Sequence, residues 1–142
     1  MKSIIVNENL SISDQIEATD IEQLAQEGVQ VIMCNRPDEE AAEQPSFSDM
    51  AAAAEANGIE ALYIPFKTGE MKAEHVRQMR RLQDSGKRLH AFCRSGNRSF
   101  CLYAAAHASR GLPKDEILQQ AEKAGIAVEE IIEPYYKGAL NL

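Results

Sequence analysis

The sequence contains few cysteines, and these lie far apart or without the spacing of a metal-binding or redox pair. Its 142 residues include only Cys34, Cys93 and Cys101, with no CxxC motif and no histidine at metal-ligand spacing from another ligand residue. An odd number of isolated cysteines argues against both a disulfide framework and a structural zinc site. We therefore expect a protein without metal or other cofactor that functions in a reducing cytoplasm.

Long apolar runs and an excess of positive charge are absent as well. No apolar stretch reaches the length that spans a bilayer, and the N-terminal stretch is too short for a signal peptide. The formal net charge of −7 disfavours a nucleic-acid ligand, because phosphate backbones are bound by basic surfaces. The length fits one domain, residues 1–142, and we expect it to bind neither membranes nor nucleic acids.

Short apolar segments alternate with helix-like segments along the chain. Ile4–Val6 and Leu10–Ile12 predict a small N-terminal hairpin, and strands are predicted at Val29–Cys34, Glu60–Pro65 and Leu89–Cys93. Helices are predicted over residues 19–27, 48–57, 72–85, 99–109 and 113–123, with a short last helix ending near Pro134. This alternation predicts a three-layer α/β/α fold, with a mostly parallel sheet of about four strands plus the hairpin.

The segment around Cys93 has the clearest chemical pattern. An apolar strand ends at Cys93, a glycine-bearing loop follows, and Arg98 precedes a helix-like run. Backbone N–H groups at a helix start, the helix dipole and the Arg98 charge all favour an anion at this point. A cysteine in such a loop is expected to be a thiolate nucleophile. The predicted anion-binding groups belong to Arg94, Ser95, Gly96, Asn97 and Arg98.

Other candidate residues follow the ends of the predicted strands. In an open α/β sheet, ligands bind beyond the carboxyl ends of the strands, so these residues should meet near Cys93. The candidates for the pocket are Asn35, Arg36, Lys67 and Glu70. Asp38 could act as a general acid or instead form a turn or an ion pair with Arg36. Cys34 could reach disulfide distance of Cys93, or it could be a small buried residue.

Several separated motifs resemble one bacterial family. Cys34-Asn35-Arg36-Pro37-Asp38, Gln44-Pro45, Ile64-Pro65 with Gly69, and the CRSGNRS segment are similar to the phosphatase-like domain of beta-lactamase-hydrolase-like proteins, over residues 9–126. This resemblance implies the fold of protein-tyrosine and dual-specificity phosphatases. It also implies that Cys93 is the nucleophile, Arg98 binds the oxyanion and the Ser99 hydroxyl helps the thiolate leave. Some fused relatives are linked to persulfide metabolism through a rhodanese-like activity.

The sequence departs from the phosphatase pattern at three points. Four residues separate Cys93 from Arg98, where phosphatases have five, and this shorter loop has the rhodanese length. Phe92 stands where phosphatases usually have a histidine. The segment Phe66–Glu70 lacks the aspartate that serves dual-specificity phosphatases as general acid, so Glu70 or Asp38 would have to replace it.

Three functions therefore stay open. The leading hypothesis is a phosphatase that acts on a small anionic phosphate monoester, or on a phosphorylated protein, through a phosphocysteine at Cys93. The second is a sulfurtransferase that carries a persulfide sulfur on Cys93, because thiosulfate releases a stable anion and needs no general acid. The third is a binder of a phosphorylated or sulfated ligand that has lost catalysis.

Overall fold

A computed structural model describes residues 1–139. Over these residues the chain forms five strands, β1 (Ser3–Asn7), β2 (Leu10–Ser13), β3 (Val31–Cys34), β4 (Glu60–Tyr63) and β5 (Leu89–Phe92). It also forms six helices, α1 (Ala18–Gln26), α2 (Phe47–Ala56), α3 (Ala73–Asp84), α4 (Asn97–Ser109), α5 (Lys114–Ala124) and α6 (Glu129–Tyr136).

The strands form one sheet with helices on both faces. Their order is β1-β2-β5-β3-β4, with β1 and β2 antiparallel and the other neighbours parallel. One hydrophobic cluster lies between the sheet and helices α1 and α2, and a larger one packs the other face against α3, α4, α5 and α6. This arrangement confirms the predicted three-layer α/β/α fold, and it places β5, the strand before Cys93, in the centre of the sheet.

The N-terminal hairpin is part of this sheet, which is a difference from the prediction. Its second strand, β2, pairs in parallel with β5, and Ile12 lies opposite Ala91. Leu10 and Ile12 are buried, whereas Ile5 on the edge strand β1 is 80% exposed. The apolar side chains of β2 thus extend the core and join the hairpin to the sheet, so the parallel part of the sheet has four strands and β1 is added at its edge.

Two helix boundaries differ from the predicted ones in ways that affect the site. Helix α4 begins at Asn97 rather than at Ser99, so both Arg98 and Ser99 belong to its first turn. Helix α6 continues through Pro134 to Tyr136 instead of ending near the proline. The buried Ile132 and the partly buried Tyr135 and Tyr136 pack against the core, and this packing outweighs the backbone hydrogen bond that the proline cannot make.

A buried histidine ties β2 to β5. His90 has no exposed surface, and its Nδ1 and Nε2 lie 2.7 Å from Ser11 Oγ and 2.8 Å from Ser13 Oγ. Because the Ser13 hydroxyl already donates to the Asp14 carbonyl, it accepts from Nε2–H, which leaves Nδ1 to accept from Ser11. This pattern suits the neutral ring, and burial lowers the pKa of His90 to about 4.

We expect this histidine to make the fold acid-sensitive. Its pKa is about 4 in the folded protein against an ordinary value of 6.5, so only the unfolded chain binds a proton between these values. The stability is therefore complete above pH 6.5 and falls as the pH approaches 4, by roughly 3 kcal/mol in total. Denaturant unfolding at several pH values measures this loss.

The matched variant for this test is His90→Gln, which keeps a donor and an acceptor but does not titrate. Burial also lowers the pKa values of His75 and His107, so those residues contribute the same pH dependence to both proteins. The wild type should lose more stability than the variant between pH 6.5 and pH 4. Equal losses would show that His90 is not the acid-sensitive group.

Candidate active site

The turn between β5 and α4 is built around a glycine. Gly96 has φ 97°, in the left-handed region that favours glycine, and it caps the start of α4. A Cβ atom at this position would lie 3.4 Å from the Ser13 carbonyl oxygen, so β2 also limits the space. The Gln15 N–H donates to the Arg94 carbonyl at 3.3 Å and holds the start of the turn. The turn is thus fixed between the end of β2 and the first residue of α4.

Cys93 lies at the base of this turn with no exposed surface. Its Sγ accepts a hydrogen bond from the Gly96 N–H at 3.0 Å, so one backbone donor already faces the sulfur. The Arg98 side chain lies close enough to interact with the same sulfur. The pKa of Arg98 is raised, mainly by its hydrogen bond with Glu40 and further by Cys93. The sulfur is therefore placed among positive and partly positive groups, below the surface of the turn.

Arg98 is held by a carboxylate that the sequence analysis did not single out. Its Nη1 and Nη2 donate to Glu40 Oε2 at 2.7 Å and to Glu40 Oε1 at 2.8 Å, and Nη1 also donates to the Phe66 carbonyl at 3.1 Å. The buried Arg36 adds a bond from Nε to Glu40 Oε1 at 3.2 Å. These hydrogen bonds, chiefly the one from Arg98, lower the pKa of Glu40. Arg36 is thus placed behind Glu40, where it braces the ion pair.

The hydroxyl of Ser99 faces the interior of the domain. Ser99 Oγ donates to Asn35 Oδ1 at 2.8 Å, and Asn35 Nδ2 donates to the Ile64 carbonyl at 2.9 Å. The side chains of Ser99 and Asn35 are both fully buried. Asn35 therefore connects the first turn of α4 with the loops that follow β3 and β4, and the Ser99 proton is used in that connection rather than in a bond to Cys93.

We expect Asn35→Ala to destabilise the domain measurably. The substitution leaves the Ile64 carbonyl and the Ser99 hydroxyl buried without their partner, at a cost of roughly 1–3 kcal/mol for each unpaired group. Urea unfolding measures the change. Asn57→Ala is the control, since Asn57 is only half-buried and its side chain donates to the Ala53 carbonyl within the same segment of chain. Equal losses in the two variants would contradict a bracing role for Asn35.

A cavity of about 650 Å³ opens beside the turn. The predicted anion-binding residues Arg94, Ser95, Asn97 and Arg98 line part of it. The rest of the lining, over the part of the chain that the structure describes, is formed by Glu40, Phe66, Thr68, Gly69, Met71, Cys101, Ile131 and Tyr135. The lining thus combines cationic and polar side chains from the turn with apolar side chains from other elements.

The structure does not bring the candidate general acid Asp38 or the predicted pocket residues Lys67 and Glu70 into this cavity. Asp38 Oδ1 accepts from the Phe47 N–H at 2.8 Å, so its carboxylate is used at the start of α2. Lys67 and Glu70 line a neighbouring cavity instead, together with His75. Within residues 1–139, Glu40 is therefore the carboxylate that lines this cavity, and it is already paired with Arg98.

The other two cysteines differ in their surroundings. Cys34 ends β3, next to β5, and its Sγ donates to the Arg36 carbonyl at 3.3 Å. Burial raises its pKa to about 12, so it is a neutral thiol. Cys101 lines the cavity, and burial raises its pKa to about 11. Cys34, Cys93 and Cys101 are all free thiols in this structure, so the pairing of Cys34 with Cys93 stays a prediction.

Within residues 1–139, no group of three histidine, cysteine, aspartate or glutamate residues is arranged to hold a metal ion. Within the same residues, every helix is too short or too polar to cross a bilayer.

The fold and the turn together define a class of protein. A cysteine directly after a central parallel strand, a short turn, and an arginine in the first turn of the next helix form the arrangement of a cysteine-phosphatase-like α/β domain. The family model of the phosphatase-like domain of beta-lactamase hydrolase-like proteins matches residues 3–110. The chain belongs to this family.

The comparison with curated proteins agrees with this assignment. A beta-lactamase hydrolase-like protein from Agrobacterium fabrum is 29% identical over 112 residues, which make up 78% of this chain and 26% of that protein. The chain thus spans about a quarter of the length of this relative.

Solved structures share the same fold. A protein from Neisseria meningitidis, provisionally described as a phosphatase, is 32% identical with a TM-score of 0.80, and the match covers 94% of this chain and 96% of that one. PTPMT1, crystallised in complex with PI(5)P, has a TM-score of 0.78 at 14% identity, with 98% of this chain and 96% of that chain covered. At that identity the second likeness concerns the fold alone.

Proposed function

We propose that this protein is a cysteine-dependent phosphatase that acts on small anionic phosphate monoesters. The observation that carries the proposal is the placement of Arg98 in the first turn of α4, where Glu40 fixes its guanidinium close to the Cys93 sulfur. The same sulfur accepts a hydrogen bond from the Gly96 N–H. Such a set of donors stabilises the negative charge that builds up on a phosphoryl group during transfer. The 32% identity to the Neisseria meningitidis protein that is provisionally described as a phosphatase supports phosphate chemistry.

In the proposed reaction, the Cys93 thiolate attacks phosphorus and the bond from phosphorus to the ester oxygen breaks. The leaving group departs with the electron pair of that bond, and the phosphoryl group remains on the sulfur as a phosphocysteine. Water then attacks phosphorus, releases inorganic phosphate and restores the thiolate. Because Cys93 has no exposed surface in the structure, the sulfur must be uncovered by a local rearrangement before it can react.

The proton supply limits which esters react well. Glu40 is held by Arg98 with a lowered pKa, so it is ionised and cannot donate a proton. A positioned general acid is worth roughly 10²–10⁴ in rate, and leaving groups that form stable anions need it least. The proposal therefore favours aryl phosphates over alkyl phosphates. Asp38, used at the start of α2, and Glu70, which lines the neighbouring cavity, would have to move to serve as acids.

A second candidate function keeps Cys93 and changes the transferred atom. The turn has four residues between Cys93 and Arg98, and this length suits the outer sulfur of a persulfide, which is smaller than a tetrahedral phosphoryl group. In this reaction the Cys93 thiolate attacks the outer sulfur of thiosulfate, the bond between the two sulfurs breaks, and sulfite leaves with its electron pair. An acceptor thiolate then takes the sulfur from Cys93.

Mass spectrometry of Cys93 distinguishes these candidates. The protein is incubated with an aryl phosphate or with thiosulfate, quenched in acid within seconds, and digested. A phosphoryl group on Cys93 together with released inorganic phosphate is the result expected. A single added sulfur after thiosulfate, with no phosphate release in the other arm, would replace the proposal with sulfur transfer. Binding of phosphate without either adduct would indicate a binder rather than an enzyme.

A further inference from the structure

We infer that Ile131 and Tyr135 of helix α6 contribute an apolar wall to the site and that this wall selects the substrate. The substrate is then a phosphate ester with an apolar organic group next to the phosphate. This inference rests on the proposed function. It starts from the lining of the cavity, which includes Arg94, Asn97 and Arg98 from the turn and the start of α4, and Ile131 and Tyr135 from α6. Such a cavity fits a ligand with a charged end and an apolar body.

The wall is held in a fixed position relative to the anion-binding turn. Helix α6 packs against α4, the helix whose first turn carries Arg98. Ile132 is fully buried and anchors α6 in the core, whereas Ile131 and Tyr135 are only partly buried and line the cavity. Residues four apart on a helix lie on one face, so these two side chains form one continuous apolar surface. A rigid wall of this kind selects ligands by shape and polarity.

The wall continues on the side of the loop that follows β4. Phe66 and Met71 line the same cavity and are mostly shielded from solvent. The apolar part of the cavity lining thus comes from two elements, α6 and the segment that follows β4. The cavity volume of about 650 Å³ lies within the usual range for sites that bind small molecules, so it holds an aromatic ring or a short alkyl chain in addition to a phosphate.

The part of the wall that α6 supplies lies outside the residues that the family model matches. That match ends at residue 110, and α6 begins at Glu129. The residues that bind the anion belong to the matched region, whereas two residues of the apolar wall do not. Ile131 and Tyr135 are therefore features of this chain that lie beyond the region shared with the family model.

Phosphonates test the inference without a chemical step, because their carbon–phosphorus bond is not cleaved by the proposed reaction. Titration calorimetry compares methylphosphonate, benzylphosphonate and hexylphosphonate. Burial of the added apolar surface should make benzylphosphonate or hexylphosphonate bind roughly 10- to 100-fold more tightly than methylphosphonate. A preference for the benzyl compound indicates an aryl ester, and a preference for the hexyl compound indicates an alkyl or lipid-like ester.

Two variants of α6 form a matched pair for this experiment. Tyr135→Ala removes a ring from the cavity wall, whereas Tyr136→Ala removes the same atoms from the next position, whose ring lies near Lys114 of α5. Tyr135→Ala should lose most of the preference for the apolar phosphonate and keep the affinity for methylphosphonate. Tyr136→Ala should keep both, and thermal unfolding of each variant checks the fold.

The possible results separate this inference from the proposed function. Equal affinities of the wild type for all three phosphonates would overturn the apolar wall and leave the anion-binding turn intact. Equal effects of the two tyrosine variants would overturn the assignment to α6. If neither methylphosphonate nor inorganic phosphate binds at millimolar concentration, the proposed function fails and this inference fails with it. The wild-type comparison decides the outcome even if a variant does not fold.

Discussion

Cys93→Ser is expected to reduce the turnover of an aryl phosphate on the order of 10⁴-fold or more. A serine hydroxyl is a far weaker nucleophile than a thiolate near neutral pH, so the covalent step is lost while the binding of the anion remains. The substitution changes the size of the side chain little, and the oxygen can still accept the hydrogen bond from Gly96. Steady-state release of the phenolate measures the effect, and phosphate binding by calorimetry shows that the turn is intact.

The matched control is Cys34→Ser, which makes the same atomic change at the end of the neighbouring strand. Cys34 is a neutral thiol bonded to the Arg36 carbonyl, so it takes no part in the proposed chemistry. This variant should retain turnover close to that of the wild type. Full activity of Cys93→Ser, or equal losses in both variants, would refute the assignment of Cys93 as nucleophile.

The parts of this fold that could be predicted from the sequence depend on local patterns. The apolar runs that form β3 and β5 are buried on both faces of the sheet, and such runs read as strands without knowledge of their neighbours. The same holds for the turn at Gly96, because the order of strand, glycine and helix is contiguous in the chain. The hairpin was harder to place, since its pairing with β5 joins segments almost eighty residues apart, as Ser11 and His90 illustrate.

The parts of the site that could not be predicted depend on distant pairs. Glu40 and Arg98 are 58 positions apart, and Glu40 stands in an acidic loop where several carboxylates are equally plausible partners. Asp38, unlike Glu40, belongs to a segment that resembles the family, yet its carboxylate accepts a hydrogen bond at the start of α2. The position of Tyr135 in the cavity wall depends on how α6 docks on α4, and helical periodicity alone does not determine that.

The second large effect is expected for Arg98→Lys, which should lower kcat/KM by roughly 10²–10³-fold. The guanidinium uses Nη1 and Nη2 for Glu40, and Nη1 also contacts the Phe66 carbonyl. A guanidinium has five N–H donors in a fixed plane, so two remain to face an anion while Glu40 is bound. The lysine ammonium has one nitrogen and cannot bridge Glu40 and the anion in the same geometry. Initial rates over a range of aryl phosphate concentrations measure the change.

A double-mutant cycle with Glu40→Gln tests whether Glu40 acts through Arg98. Glutamine keeps one oxygen acceptor but loses the charge and the bidentate contact, so Arg98 is held less firmly and kcat/KM should fall by a smaller factor than in Arg98→Lys. In the Arg98→Lys background, the same Glu40→Gln change should have almost no further effect, because the contact that it weakens is already lost. If the two losses multiply instead, Glu40 does not position Arg98 and contributes to catalysis by a separate route.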